Sequence, residues 1–141
     1  MPEQELNTPQ SFNEWLKTAR EKRRISMRAL ALRTGVNYST ISRLERSNRT
    51  PGLATAVKLA RGLAEYPRDG NIFVPGIHEQ VSLDNFPSWL REQRVANQLS
   101  LRRLGKKAGV HHVTISRIEN RENPPSLVIA GKLSVVFRTD E

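Results

Sequence analysis

The sequence predicts an all-α protein built from two tandem domains of four to five helices each. Three observations carry that prediction. The stretch STISRLE at 39–45 returns as VTISRIE at 113–119, within a longer repeat. Each copy is punctuated at the same spacing by helix-capping residues and a glycine. Positive charge is concentrated in the same two blocks.

Shifting residues 12–63 by 74 places them on 86–137 without a gap, and 19 of 52 positions are identical. The identities include Trp15/Trp89, Leu16/Leu90, Arg20/Arg94, Ser26/Ser100, Leu30/Leu104, Gly35/Gly109, Glu45/Glu119 and Pro51/Pro125. Most other positions keep their character, as in Ile25/Leu99 and Leu44/Ile118. A tandem duplication of this kind makes each half a complete small domain: 11–65 and 85–141, joined by a partly ordered connector at 66–84.

Within a copy, Ser11 and Glu14 form a capping box that starts the first helix, which runs to about Lys22. Asn85 takes the cap position in the second copy, where the helix runs to about Ala96. Ser26 and Ser100 cap a second helix, ended by Gly35 or Gly109, because glycine tolerates the left-handed conformation of a tight turn. A third helix spans about Asn37–Arg46, and His111–Asn120 in the second copy, with Ile41 and Leu44, or Ile115 and Ile118, facing inward at i, i+3 spacing. Pro51 and Pro125 precede a fourth helix, LATAVKLARGLAE in one copy and LVIAGKLSVVF in the other. The second version is rich in β-branched residues, which weakens its intrinsic helicity.

A net charge of +9 points to an anionic partner, most often nucleic acid. Residues 12–65 hold twelve Lys/Arg against four acids, and 86–141 hold ten against five, while 1–11 and 66–85 are each net acidic. Cysteine is absent, which removes disulfides and thiolate metal sites and fits a reducing compartment. The polar start MPEQELNTPQ is unlike a signal peptide, and no apolar run reaches membrane-spanning length. The expectation is a cytoplasmic protein without membrane partners.

Two helices joined by a glycine turn, the second polar on one face, describe a helix-turn-helix. Both copies fit the pattern S-x-x-x-L-x-x-x-x-G-V-x-x-x-T-I-S-R-[LI]-E. On these residues each half resembles the lambda-repressor/Cro-like (XRE-type) DNA-binding domain, over roughly 105 of the 141 residues. The resemblance implies a bacterial, phage-borne or plasmid-borne regulator whose third helix lies in the major groove of duplex DNA.

With Ile41 and Leu44 inward, the outward residues of that helix are Asn37, Tyr38, Ser39, Ser42 and Arg43, and in the second copy His111, His112, Val113, Ser116 and Arg117. The resemblance places Tyr38, Ser39 and Arg43, with His112, Val113 and Arg117, at base-reading positions; Asn37 and His111 stand beside them. A guanidinium can bridge guanine O6 and N7, so Arg43 and Arg117 are the leading candidates, although an arginine midway along an exposed helix is often merely solvated. Tyr38-Ser39 against His112-Val113 predicts two related but unequal half-sites. Ser26 and Ser100, at the start of the second helix, are candidate phosphate anchors. The family usually has Gln after this Ser, whereas this chain has Met27 and Leu101, so Arg28 and Arg102 are expected to compensate. Thr40, Ser42, Arg46 and Arg49, with Thr114, Ser116 and Arg121, complete the phosphate-contacting set. The resemblance also implies structural ion pairs, Arg20 with Glu45 and Arg94 with Glu119.

Trp15 and Trp89 could be stacking platforms for bases, but their place beside Leu16 and Leu90 in amphipathic helices favours core packing. The adjacent His111 and His112 point about 100° apart on a helix and lack completing carboxylates, so no metal or cofactor is expected. His78 stands alone in the connector. With no paired carboxylates, nucleophile elbow or phosphate-cradling loop, no enzyme is expected. The connector carries Ile72, Phe73, Val74 and Ile77, more apolar surface than a flexible tether needs.

Two heads on one chain could cover half-sites about one helical turn apart, roughly 34–36 Å, in direct or inverted order. Dimerisation of the chain would give four heads. With no ligand domain appended, repression by occlusion is the simplest mechanism and contact with polymerase the second. The rival class is a protein-interaction module, such as an antitoxin or anti-activator that binds a toxin or activator. The apolar fourth helix of copy two and the tail SVVFRTDE would serve it.

Overall fold

A computed structural model describes residues 11–47, 49–63, 74, 77 and 81–138. Among these residues it is all-helical, with eight helices: α1 (Phe12–Lys22), α2 (Met27–Thr34), α3 (Tyr38–Arg46), α4 (Leu53–Leu63), α5 (Phe86–Ala96), α6 (Leu101–Ala108), α7 (His112–Glu119) and α8 (Leu127–Val135). The chain divides into two compact units, 1–51 with 55–76 and 52–54 with 77–141. Val74 falls in the first unit and Ile77 and Val81 in the second, and all three are buried. Ile72, Phe73 and His78 of the connector, and the ends of the tail and of the fourth helix of copy one, lie outside the described residues.

The helix starts follow from side-chain chemistry. Ser11 accepts from the Glu14 amide while the Glu14 carboxylate takes the Ser11 N–H, a reciprocal capping box. Ser26, Ser100 and Ser126 each accept from the amide three residues on. The cap at Ser126 offsets the β-branched residues of α8, which is helical through Val135. Asn85 is the exception to expectation: it occupies the cap position but makes no side-chain cap bond. Pro87 stands in the first turn and has no N–H to give, and the Asn85 backbone, at φ −141° and ψ 57°, is outside the extended region a cap needs.

Gly35 and Gly109 close α2 and α6 at φ 79° and 73°, a left-handed conformation in which a side chain would be strained. They set the turn that swings the third helix across the second. That helix is held by its inner face, because Ile41 and Leu44, or Ile115 and Ile118, are buried against a core that includes Leu16 and Leu30, or Leu90 and Leu104. Trp15 packs on Phe12 at 5.4 Å between ring centroids, and Trp89 on Phe86 and edge-on to Phe137, at 5.8 and 6.1 Å. Both indoles are therefore engaged at the rim of their own cores.

An arginine fastens α1 to α3. Arg20 donates to both Glu45 oxygens, at 2.7 and 2.8 Å, and to the carbonyl of Ile25 at 3.0 Å. Arg94 repeats this with Glu119, at 2.7 and 2.9 Å, and with Leu99 at 3.0 Å. The carboxylates are 5% exposed, so little water competes for them. The hydrogen bond to its glutamate, opposed by desolvation, holds each guanidinium above its ordinary pKa. Both guanidiniums therefore stay charged across the physiological range. Glu45→Ala and Glu119→Ala should each cost about 3–5 kcal/mol in urea unfolding, with the double variant Arg20→Ala/Glu45→Ala losing less than the sum of its singles.

Candidate nucleic-acid interface

Each unit presents the N-terminus and outer face of its third helix. In the first, Asn37, Tyr38, Ser39 and Arg43 are exposed, while Thr40 and Ser42 are half-buried. Asn37 caps α3 by position alone, since its amide makes no cap bond and keeps its donors and acceptor free of the helix end. Tyr38 is capped from above by Arg28 of α2, whose guanidinium lies 5.0 Å from the ring centroid. The two are thereby one feature, an arginine held over an aromatic ring across the helix-turn-helix.

At the other end of α3, Arg43, Arg46, Ser47 and Arg49 line one open groove. The chain there is pinned by Asn13 of α1, whose amide nitrogen donates to the carbonyls of Leu44, Ser47 and Arg49 at 2.7, 3.1 and 2.9 Å. Ser47 adds a bond from its hydroxyl to the Arg43 carbonyl at 2.6 Å and accepts from the Arg49 amide. Three guanidiniums around one groove suit an anion such as a DNA phosphate. The sequence marked the arginines; Asn13 escaped notice because its role depends on carbonyls 31 to 36 residues away.

The second unit differs at both ends. His111 is the N-cap of α7 and its Nδ1 accepts from the Val113 amide at 3.2 Å. The His111 and His112 rings stack at 4.6 Å with 22° between planes. Desolvation, then the charge of Arg102 and then His111, hold His112 below the ordinary histidine pKa. Val113 and Arg117 are exposed, His112, Thr114 and Ser116 half-buried. Beyond the helix, the arginine groove has no counterpart in sequence: Asn120, Arg121 and Asn123 stand where the first copy has Arg46, Ser47 and Arg49. Arg121, at φ 62°, turns its Nη2 onto Asn85 Oδ1 at 2.6 Å and Ser88 Oγ at 2.9 Å. It does for this loop what Asn13 does for the other, since Pro87 replaces that asparagine. The cap expected of Asn85 is thus replaced by service to Arg121.

Ser26 and Ser100 are exposed with their oxygens accepting cap bonds, which leaves each hydroxyl hydrogen to donate. Arg28 and Arg102 are exposed beside them. Among the described residues no cluster of three metal-ligating side chains occurs, and no helix is long and apolar enough to cross a membrane.

Fold and surface together define a double helix-turn-helix protein. A helix-turn-helix family model matches the chain twice, at 16–69 and 90–141, and the chain belongs to that family, of the XRE type. It is 38% identical over 73 residues to the HTH-type transcriptional repressor RghR of Bacillus subtilis (strain 168), covering 51% of this chain and 53% of that protein. It is also 40% identical over 52 residues to the uncharacterized HTH-type transcriptional regulator y4dL of Sinorhizobium fredii, covering 37% of this chain and 26% of that protein. The chain thus spans about half the length of the first and a quarter of the second. No solved structure matches.

Replacing Asn13 by Ala should free three carbonyls and cost about 1–3 kcal/mol in thermal unfolding; Arg121→Ala, which removes two exposed bonds to the Asn85 and Ser88 side chains, should cost the second unit about 0.5–1.5 kcal/mol. Neither loss should appear in the other unit's hydrogen-exchange protection.

Proposed function

We propose that the chain is a sequence-specific double-stranded-DNA-binding regulator of transcription, a repressor that acts in the cytoplasm by occluding its site. One observation carries this reading: twice over, a helix anchored by two buried aliphatic side chains turns an arginine and a polar N-terminus outward. A helix so held can enter the major groove with those groups against base edges. In this reading Arg43 and Arg117 bridge guanine, and Tyr38, Ser39, His112 and Val113 read the neighbouring bases, with Asn37 and His111 beside them. Val113 would meet a thymine methyl. Phosphates are met by Ser26, Arg28, Thr40, Ser42, Arg46 and Arg49, and by Ser100, Arg102, Thr114 and Ser116. Arg121 joins them only with the N–H groups that Asn85 and Ser88 leave over. The name of the Bacillus relative, a transcriptional repressor, supports the sign of regulation. No step in this mechanism requires catalysis.

A protein-directed role has one observation in its favour. Val128 and Val135 lie seven apart on α8 and are 48% and 55% exposed, where the first copy has Ala54 and Arg61. A polymerase, toxin, activator or second copy of the chain would find its apolar surface there.

Selection from a genomic DNA library across a salt series should return sites with two unequal halves. Arg43→Ala and Arg117→Ala should each cost about 1–3 kcal/mol at one half and relax preference there. Binding that is weak, unselective and indifferent to both arginines would transfer the search to a protein partner.

A further inference from the structure

The two heads place different chemistry at the same point. In the first, the exposed arginine of α2, Arg28, sits over Tyr38, the first residue of α3. In the second, Arg102 holds the equivalent place on α6 and His112 is the first residue of α7. Tyrosine keeps one charge state across the physiological range, and its ring attracts the arginine. Imidazole changes charge within that range.

We propose that His112 makes the second head proton-linked: DNA is bound there with uptake of a proton, whereas the first head, with Tyr38 in the same place, binds without one.

The geometry assigns the proton to His112 rather than to its neighbour. His111 uses Nδ1 to accept the Val113 amide, so a proton on that nitrogen would break the cap of α7. The His112 ring has no such duty. It is stacked on His111 at the positive end of the helix. From α6 it meets the charge of Arg102, and from its own helix the imidazole of His111. From α5, Arg94 is committed to Glu119 at the far end of α7, leaving no carboxylate among the groups acting on His112. Gly105 of α6 lets the chain entering α7 approach closely, since a Cβ there would meet the Val110 carbonyl oxygen at 2.5 Å and the His112 amide nitrogen at 3.4 Å. In the free protein desolvation, then the charge of Arg102 and then His111, disfavour a proton on His112 and lower its pKa. Approaching phosphates reverse the local potential, and a protonated imidazole offers two N–H donors to phosphate or guanine instead of one. The free folded chain thus holds His112 neutral at neutral pH and the complex favours the charged form, so affinity must rise as pH falls. One proton can change it by at most about tenfold per pH unit. Stability of the free chain has the opposite sign: a base whose folded pKa is lowered weakens the fold as pH drops through about 6.5.

The inference rests on the DNA-reading role proposed above and is tested with the full chain on the half-sites that selection returns. Affinity is measured from pH 8 to pH 6 at fixed salt, on duplexes carrying each half-site alone. The second head should gain several-fold in affinity over this range and the first should be nearly flat. His112→Tyr and His112→Gln should both flatten the second head, His111→Asn should keep a slope of the same sign, and Tyr38→His should confer a slope on the first. Thermal unfolding of each variant at both pH values separates a binding effect from a folding one. Specific binding by both heads with no slope in the wild type, or an equal slope in the His112 variants, would overturn the inference and leave the DNA-reading role intact. Failure of the second head to bind any sequence would overturn both.

Discussion

Everything that faces outward on the third helix depends on how that helix is tied to the first, and the tie is a single arginine used three ways. The main chain of Arg20 accepts from the Ile25 amide, and its guanidinium returns a bond to the Ile25 carbonyl, closing the turn between α1 and α2. The same guanidinium grips Glu45 at both oxygens. Arg94, Leu99 and Glu119 repeat the arrangement atom for atom. A bidentate pair fixes direction as well as distance, because the guanidinium fork and the carboxylate must be coplanar to satisfy both bonds. Glu45 and Glu119 come near the C-terminal end of the third helix, so the pair fixes that end while the glycine turn fixes the other. Between them the buried isoleucine and its partner settle the rotation of the helix about its own axis.

On that shared frame the two copies have diverged where the frame does not constrain them. Both must hold the loop after the third helix, and they do so with unrelated groups. An amide on α1 collects three carbonyls in the first, and an arginine from the loop itself reaches back to Asn85 and Ser88 in the second. The first solution leaves its arginines around an open groove. The second engages the guanidinium of Arg121 internally and has asparagines at the neighbouring positions. Positive charge is consequently stronger at the far end of the third helix in the first unit. The N-terminal ends have diverged too, tyrosine under arginine in one and stacked histidines in the other.

Much of this was legible in the chain because the signals were local or repeated. Serine followed by a helical run, glycine at a helix end and apolar residues at i, i+3 are each decided within a few residues, and a second copy at fixed offset turns a weak pattern into a strong one. The 25-residue separation of arginine and glutamate was visible for the same reason. What escaped was decided by distant partners. Asn85 reads as a cap until Pro87 removes the donor and Arg121 claims its oxygen. Arg121 reads as a free surface cation; it is indeed exposed, yet its guanidinium is already bonded to Asn85 and Ser88. His111 reads as an outward group, yet its ring also caps the helix that carries it. The β-branched run of α8 lowered its expected helicity, and burial of Leu127, Ala130 and Leu133 together with the Ser126 cap outweighed that propensity.

The proposed reading of two half-sites by one chain is tested most directly by comparing its affinity for a duplex carrying both half-sites with that for the same duplex with one half scrambled. Linked heads raise each other's effective concentration, so the intact duplex should bind about 10²–10⁴-fold more tightly than either half alone, with the gain reduced when spacing is altered by half a helical turn. Equal affinity for the intact and half-scrambled duplexes, at every spacing, would contradict simultaneous reading by the two heads.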